Sequence, residues 1–300
     1  MQKAVRNLTY NVHSPENQPQ ITVLPEEIFL VETELNTGDW LHTIEDTWTP
    51  DKIYSINPTV CIAVEDAHPS DVLAVEILDI TPDSIGYTGF NTEINPVANM
   101  IKVCDWGLNV KTVKIDSQYI YWSDDLRLPV RPMIGTLGTA PREETLSNTR
   151  GGPHGGNMDV QEVCIGSTVY LPVEVEGALL HIGDVHALQG DGEINAAGGI
   201  ECRSVVKLKT RLIKRPESFR CVRIEDEQYI MTVACERSLE ESFYLACEQL
   251  IQWMVDDYGF TTQQAYLLLG QVMESRNTQF VNPTRSYICK IPKRFLKSER

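Results

Sequence analysis

Two short segments near the middle of the chain concentrate the residue types that can do chemistry. The first runs from Arg150 to Asp159 and places His154 and Asp159 among four glycines. Glycine permits backbone conformations that other residues avoid and lets the chain approach a ligand closely. The segment lacks the Lys-Ser/Thr pair and the helix start of a phosphate-binding loop. It therefore indicates a polar site of another kind.

The second segment begins at His181. If it is extended, period-two alternation places every second side chain on one face, opposite to His181. These side chains are Leu180, Ile182, Asp184 and His186. A carboxylate and an imidazole on one face can share a divalent ion, and this pair of ligands suits zinc or a similar metal.

Two further carboxylates, Asp191 and Glu193, follow around Gly192 at a predicted turn. Each feature also has a structural interpretation, since histidines pack in cores and Asp-Gly is a common turn pair. The density of polar residues favours a site, because three of the six histidines fall within 33 residues among glycines and acids. The residues alone predict a metal or catalytic site and leave its reaction open.

Short β-rich runs separated by Gly, Pro, Asn and Asp extend from about residue 20 to residue 235 and must position these groups. Clear examples are Val72–Ile80, Thr168–Val175 and Glu201–Thr210. Their length, β-branched content and alternation predict strands. The sequence therefore predicts a β-dominant architecture over the first 235 residues.

The C-terminal part of the chain has a helical pattern. Ser238–Glu241 is typical of a capping box, and Gly259 is placed to end the helix that follows. A second helix start is predicted at Thr261–Gln264. We expect a helical hairpin over about residues 238–275 that covers the core. The prediction is an α+β, β-dominant fold forming a single domain over residues 1–300, because no linker divides the chain.

The overall charge and hydropathy limit the class of partner. The net charge of −16 and the pI of 4.8 disfavour binding to phosphate backbones, so we expect no nucleic-acid partner. Nowhere do the roughly 18 consecutive apolar residues of a membrane span occur, and the N-terminus shows no signal peptide. We therefore expect no membrane partner.

The eight cysteines include no Cys-x-x-Cys pair, so a zinc ribbon or a thioredoxin-type site is not expected. Several stand in apolar surroundings, as Cys61 and Cys164 do, and are interpreted as small buried hydrophobic residues. A reduced, cytoplasmic location is the corresponding expectation. A cysteine nucleophile is disfavoured because no cysteine falls inside the Gly/His/Asp segments.

Four segments together resemble the acetamidase/formamidase family in order and spacing. They are Asp66–Asp79, Pro132–Pro141, Gly152–Asp159 and Leu171–Glu193. The resemblance implies a hydrolase that releases ammonia from formamide, acetamide or similar linear amides. It also implies a β-sandwich with helices and a homo-oligomeric assembly, for which a dimer is expected. The residues that match the family's polar site motifs are His154, Asp159, Asp184, His186 and Glu193.

The expected mechanism uses water activated by a divalent metal ion, with zinc expected and calcium as the alternative. The predicted metal ligands are His154, Asp159, Asp184 and His186. Glu193 is the predicted general base, and Asp191 is an alternative for that role. Backbone N–H groups of the glycine-rich loop are the predicted oxyanion donors. The loop residues in question are Gly155, Gly156 and Asn157.

Two alternative functions remain open from the sequence. One is a non-catalytic β-rich module that holds calcium or zinc for stability or ligand capture. The other is hydrolysis of a larger, N-substituted amide, because residues 194–200 depart from the family pattern. Trp40, Trp48 and Trp122 are expected to pack in the core, with pocket lining as the alternative.

Overall fold

The computed structural model describes residues 1–89, 96–102, 110–195 and 197–297. Most strands in these residues belong to two large sheets. In chain order, the strands are β1 (Lys3–Ala4), β2 (Val12–His13), β3 (Ile21–Val23), β4 (Ile28–Thr33), β5 (Thr59–Val64), β6 (Asp71–Pro82), β7 (Ile85–Gly89), β8 (Lys111–Ile115), β9 (Tyr119–Tyr121), β10 (Arg127–Pro129), β11 (Met133–Thr139), β12 (Leu146–Ser147), β13 (Gly151–Gly152), β14 (Gly155–Asn157), β15 (Thr168–Pro172), β16 (Leu180–Gln189), β17 (Ala197–Glu201), β18 (Ser204–Lys214), β19 (Val222–Glu225), β20 (Tyr229–Glu236), β21 (Glu274–Asn277) and β22 (Arg285–Pro292).

The first sheet has the strand order β1-β4-β18-β6-β15-β19-β20-β22-β21, and we call it the inner sheet. The second has the order β10-β9-β8-β7-β17-β16-β11-β14-β13, with β5 also paired to β16 and β3 paired to β5; we call it the outer sheet. Strands β12 and β2 form a separate pair. The pairs β1–β4 and β3–β5 are parallel, and the other pairs are antiparallel.

The inner sheet is buried on both faces, as β6 shows. Leu73 and Val75 belong to the largest apolar cluster, which they share with Ile62 and Ile182 of the outer sheet. The alternate residues of β6, such as Val72, belong to a second cluster that contains side chains of the C-terminal helices. Since successive strand residues point to opposite faces, the molecule has three layers: outer sheet, inner sheet and helices.

The helices are α1 (Pro96–Met100), α2 (Leu239–Tyr258) and α3 (Thr262–Val272), and short 3-10 turns lie at Pro50–Lys52 and Lys293–Phe295. The Ser238 hydroxyl accepts a hydrogen bond from the backbone N–H of Glu241, and Gly259 ends α2 in the left-handed conformation. Thr261 and Gln264 form a reciprocal capping box at the start of α3. The predicted β-dominant fold with a C-terminal helical hairpin is confirmed.

None of these helices combines the length and the apolar character needed to cross a bilayer, within the part of the chain that is described.

The predicted alternation along β16 is wrong at its centre. Leu180 and Ile182 lie in the core between the sheets, but so do Val185 and Ala187, which differ from them in phase. The change occurs at Asp184, whose φ of 56° is left-handed. Because one left-handed residue rotates the chain that follows it, Asp184 does not continue the face of Leu180 and Ile182. The side chains of Asp184 and His186 therefore lie outside the apolar core.

Candidate metal centre

Five buried side chains at the centre of the outer sheet form two overlapping groups that could hold a metal ion. They are Asp159, His186 and Glu193 in one group, and Asp184, His186 and Glu201 in the other. Within each group the candidate ligand atoms all lie within 4.8 Å of one another. His186 Nε2 is 3.2 Å from Glu201 Oε2 and 3.6 Å from Asp184 Oδ1. We call these five residues the carboxylate cluster.

Several atoms of the carboxylate cluster are buried without a hydrogen-bond partner among the described residues. They are Asp159 Oδ1, His186 Nε2, Glu193 Oε2 and Glu201 Oε2. A buried polar atom left unpaired costs roughly 1–3 kcal/mol, and more if it is charged. These atoms belong to the two groups of candidate ligands, each of which has the spacing to hold one cation and which share His186. The residues present therefore fit a divalent metal ion.

Three acidic side chains of the carboxylate cluster, those of Asp159, Glu193 and Glu201, resist ionisation. Burial and the adjacent Asp184 carboxylate raise the pKa of Asp159 to about 6. Burial raises the pKa of Glu201 to about 7, although the His186 imidazole acts in the opposite direction. Burial and the Asp159 carboxylate raise the pKa of Glu193 well above its ordinary value. A divalent cation would offset this repulsion and favour the ionised carboxylates.

The second nitrogen of His186 is held by an amide. His186 Nδ1 lies 2.8 Å from Gln189 Oε1, and Gln189 Nε2 donates to the carbonyls of Asp159 and Thr278. Because the amide nitrogen is occupied by two carbonyls, Oε1 must accept from an Nδ1–H group. In its neutral form His186 has the Nε2 lone pair that a cation would need. Although burial acts in the opposite direction, the Glu201 and Asp184 carboxylates raise the pKa of His186 well above its ordinary value, so a cation would have to displace a proton from Nε2.

Strained backbone positions three of the acids. Asp159, Asp184 and Glu193 have φ values of 49°, 56° and 40°, in the left-handed region that non-glycine residues rarely adopt. Such strain costs on the order of 1–3 kcal/mol per residue and is concentrated at functional sites. It turns these side chains toward a common centre.

Glycines leave the space that these side chains occupy. A Cβ atom on Gly135 of β11 would lie 2.5 Å from Asp159 Oδ1 and 2.7 Å from Asp184 Oδ2. A Cβ atom on Gly198 of β17 would lie 1.9 Å from Glu193 Cγ. The neighbouring strands can therefore approach the carboxylate cluster only because glycine stands at both positions.

Glu201 was not among the predicted site residues. It stands opposite His186 in the pairing of β16 with β17, and Asn36 Nδ2 donates to its Oε1 at 3.0 Å. The Tyr87 hydroxyl in turn donates to Asn36 Oδ1 at 2.5 Å. The signal in the sequence was a glutamate after two glycines at the start of a predicted strand, which alone does not distinguish a ligand from a surface residue.

The carboxylate cluster opens into a cavity of about 420 Å³. Asp184, Glu193 and Glu201 line one part of it, together with Asn157 and Asn282. The Asn282 side chain also donates to Asp159 Oδ2 at 2.5 Å, which connects the cavity wall to the cluster. A ligand in this cavity would therefore meet acids and amides at one end.

The structure does not bring His154 into the carboxylate cluster. Its ring packs edge-on against that of His13, with centroids 5.0 Å apart, and His13 also contacts His181 at 4.5 Å. Burial lowers the pKa of His154 to about 4 and that of His181 to about 3, so these imidazoles are neutral. His154 belongs to neither group of candidate ligands among the described residues, and its metal-ligand role stays a prediction.

The structure also places Asp191 outside the carboxylate cluster. Its side chain is 62% exposed and forms an ion pair with Arg276, at 2.8 Å. The adjacent Gly192 exchanges backbone hydrogen bonds with Thr278 and Phe280. Asp191 thus helps to hold the turn that carries Glu193 and does not reach the reacting centre.

The glycine-rich run is a pair of strands, β13 and β14, where a loop was expected. Gly155 and Gly156 pair with β11 on one side and with β13 on the other. The backbone N–H of Asn157 donates to the carbonyl of Arg150 at 3.1 Å. Backbone donors engaged in this way cannot form the predicted oxyanion hole, but the Asn157 side chain lines the cavity. The Thr136 hydroxyl donates to Asn157 Oδ1 and so fixes the orientation of that amide.

The cysteines offer no activated thiol among the seven that are described, and Cys104 lies outside the described residues. Burial raises the pKa of Cys202, which follows Glu201, to about 12. It raises the pKa of Cys61 and of Cys235 to about 12 as well. Because the thiolate is the nucleophilic form, these thiols are unsuited to attack an amide.

The sequence profile of the acetamidase/formamidase family matches residues 143–296. An acetamidase crystal structure from Bacillus halodurans is 30% identical in sequence, with a TM-score of 0.89 and coverage of 98% of both chains. The acetamidase of Mycolicibacterium smegmatis is 26% identical over 70% of this chain and 71% of its own length. A Schizosaccharomyces pombe relative with a formamidase name is 29% identical over 50% of each chain, so this match spans half of that relative's length.

Proposed function

This chain belongs to the acetamidase/formamidase family, and on that basis we propose that it is an amidohydrolase that cleaves the C–N bond of short linear amides to a carboxylate and ammonia. The family resemblance of the four sequence motifs is thus confirmed. The observation that carries the proposal is the carboxylate cluster, where four buried ligand atoms without a hydrogen-bond partner in the described part of the chain lie beside a cavity.

We propose that Asp184, His186 and Glu201 hold a divalent ion, and that the ion is zinc. Their donor atoms form one of the two groups with the required spacing. An imidazole nitrogen at the centre of the group favours zinc over calcium, which prefers six to eight oxygen ligands. When bound, a zinc ion lowers the pKa of water toward neutrality and polarises carbonyl oxygens.

Glu193 is the proposed general base and acid. Its carboxyl is buried, lines the cavity and has an unpaired oxygen, so it can take a proton from the attacking water and deliver it to the departing nitrogen. Burial and the adjacent Asp159 carboxylate raise the pKa of Glu193 well above its ordinary value, which favours its role as a proton donor. The Asn157 side-chain amide, whose oxygen accepts from Thr136, is the proposed donor to the developing oxyanion.

The test is ammonia release from formamide and acetamide by the purified protein. The proposal predicts turnover of both amides, with an equal amount of carboxylate formed. Absence of ammonia from a protein shown to contain stoichiometric metal would contradict it, and the non-catalytic metal-binding module would then be the better account.

We also propose, from the family resemblance, that the chains assemble as homodimers in the cytoplasm. The free thiols of the seven described cysteines agree with a reducing compartment.

A further inference from the structure

The cavity beside the carboxylate cluster is larger than short amides require. Its volume of about 420 Å³ lies within the roughly 300–1,000 Å³ of sites that bind drug-sized ligands. Counted at about 30 Å³ for each water-sized group, it holds on the order of a dozen such groups. Formamide and acetamide have three and four non-hydrogen atoms. Most of the cavity would stay unfilled with either of them bound.

The unfilled part of the cavity has an apolar wall. Trp48, Ile53 and Ile56 come from the segment between β4 and β5, and Val281 and Pro283 come from the segment between β21 and β22. Ile53 and Ile56 are 46% and 52% exposed. We call these five residues the apolar wall. Water against apolar side chains is displaced favourably by an apolar group of matching size.

The polar and apolar parts of the cavity define the chemistry of an occupant. Asp184, Glu193 and Glu201 line the same cavity as the apolar wall. An amide group can therefore reach the carboxylate cluster while a substituent on the amide lies against the wall. Resting on the proposed amide hydrolysis, we propose that the preferred substrates are amides with an extended apolar substituent, which packs against Trp48, Ile56 and Val281.

Two substrate series test this inference. The first lengthens the acyl side, from acetamide through butanamide to hexanamide, and is followed by released ammonia. The second lengthens the nitrogen side, from acetamide through N-ethylacetamide to N-butylacetamide, and is followed by released acetate. Each methylene that packs against the wall should raise kcat/KM about fourfold. With its acyl chain against the wall, hexanamide, which has four more methylenes, would then exceed acetamide about 250-fold.

The outcomes separate this inference from the proposed function. A rise along the first series places the substituent on the acyl side, and a rise along the second places it on the nitrogen side. Turnover of acetamide with a kcat/KM that is flat or falls along both series would overturn the inference and leave amide hydrolysis intact. Absence of turnover for every amide would overturn both.

A pair of variants tests whether the apolar wall causes the preference for longer amides. Ile56→Ser should lower the ratio of kcat/KM for the longest preferred amide to that for acetamide by about tenfold. Leu267→Ser is the matched control, because Leu267 lies on α3 with a similar exposure of 59% and does not line this cavity. The control should keep the wild-type ratio. A ratio unchanged in Ile56→Ser would contradict the role of the wall.

Discussion

Asp191 and Glu193 stand two positions apart on one turn, yet they have different surroundings. Glu193 is buried in the carboxylate cluster with one unpaired oxygen, and Asp191 is exposed beside Arg276. Sequence alone could not separate them, because both are carboxylates next to a glycine. The distinction arises from Arg276, which lies 85 residues away in the chain.

Isosteric amide substitutions test this distinction. Glu193→Gln should lower kcat by about 100-fold to 10,000-fold, since the amide cannot exchange the proton that the reaction requires. Asp191→Asn loses only an exposed ion pair of the kind typically worth about 1 kcal/mol or less, so its loss of kcat should stay below about tenfold. Steady-state ammonia assays on folded variants measure both. Equal losses would contradict the assignment.

A second buried group consists of His13, His154 and His181, whose pKa values change on folding. Burial lowers the pKa of His154 to about 4 and of His181 to about 3, and that of His13 lies well below its ordinary value. Below pH 6.5 the unfolded chain therefore binds protons that the folded chain does not. By linkage, these groups make the folded state less stable as the pH falls from about 6.5 toward 4.

His154→Gln should remove part of this pH dependence. Asp159, Glu193 and Glu201 have raised pKa values and act in the opposite direction, so the informative quantity is the difference between variant and wild type. Denaturant unfolding at pH 6 and pH 5 measures the slope of the free energy of unfolding against pH. This slope should differ between His154→Gln and wild type by about 1.2 kcal/mol per pH unit, close to the value for one proton. His68→Gln is the opposite control, because Glu176 raises the pKa of this exposed imidazole, and its removal should change the slope in the opposite direction. Identical slopes in His154→Gln and wild type would contradict a neutral, buried His154.

At the scale of elements, the positions of the helix ends are encoded locally. The capping residues Ser238 and Thr261 and the terminal Gly259 could be predicted because each satisfies free backbone groups within its own segment. The phase change in β16 could not, because the left-handed conformation of Asp184 depends on neighbouring strands. Glu201 and Asn36 were missed for the same reason, since Glu201 faces His186 only through strand pairing and Asn36 reaches Glu201 only through a long-range hydrogen bond.

Glycine-to-alanine substitutions at two positions in the helical hairpin should have opposite effects on stability. Gly259→Ala forces alanine into a φ of 72° and should destabilise the fold by about 1 kcal/mol. Gly270→Ala lies inside α3, where an added Cβ meets no atom within 4 Å among the described residues, and should stabilise it by about 0.5–1 kcal/mol. Urea unfolding measures both values. Effects of the same sign would show that backbone conformation does not dominate at these positions.

At the scale of the whole molecule, the shared inner sheet joins the layers. One face of β6 packs on the outer sheet and the other face packs on the helices. Trp253 of α2 contacts Tyr170 of β15 edge-on, with ring centroids 5.9 Å apart. The β-rich part and the helical hairpin should therefore unfold together, as the predicted single domain over residues 1–300 requires.

Coincident unfolding curves test this cooperativity. Tryptophan fluorescence and far-UV circular dichroism should give the same denaturant midpoint and the same m-value, since one transition exposes both cores. A separate early fluorescence transition would show that the helices detach first and would contradict a single cooperative unit.

The carboxylate cluster also depends on the whole molecule, because its residues come from separate strands and turns. In the proposed mechanism, the buried acids and His186 hold a divalent ion that amide hydrolysis requires. The most direct test is ammonia release from acetamide by protein treated with a chelator, with metal content measured in the same samples. Activity should disappear when the metal is removed and return when zinc is added back. Full activity in metal-free protein would contradict it.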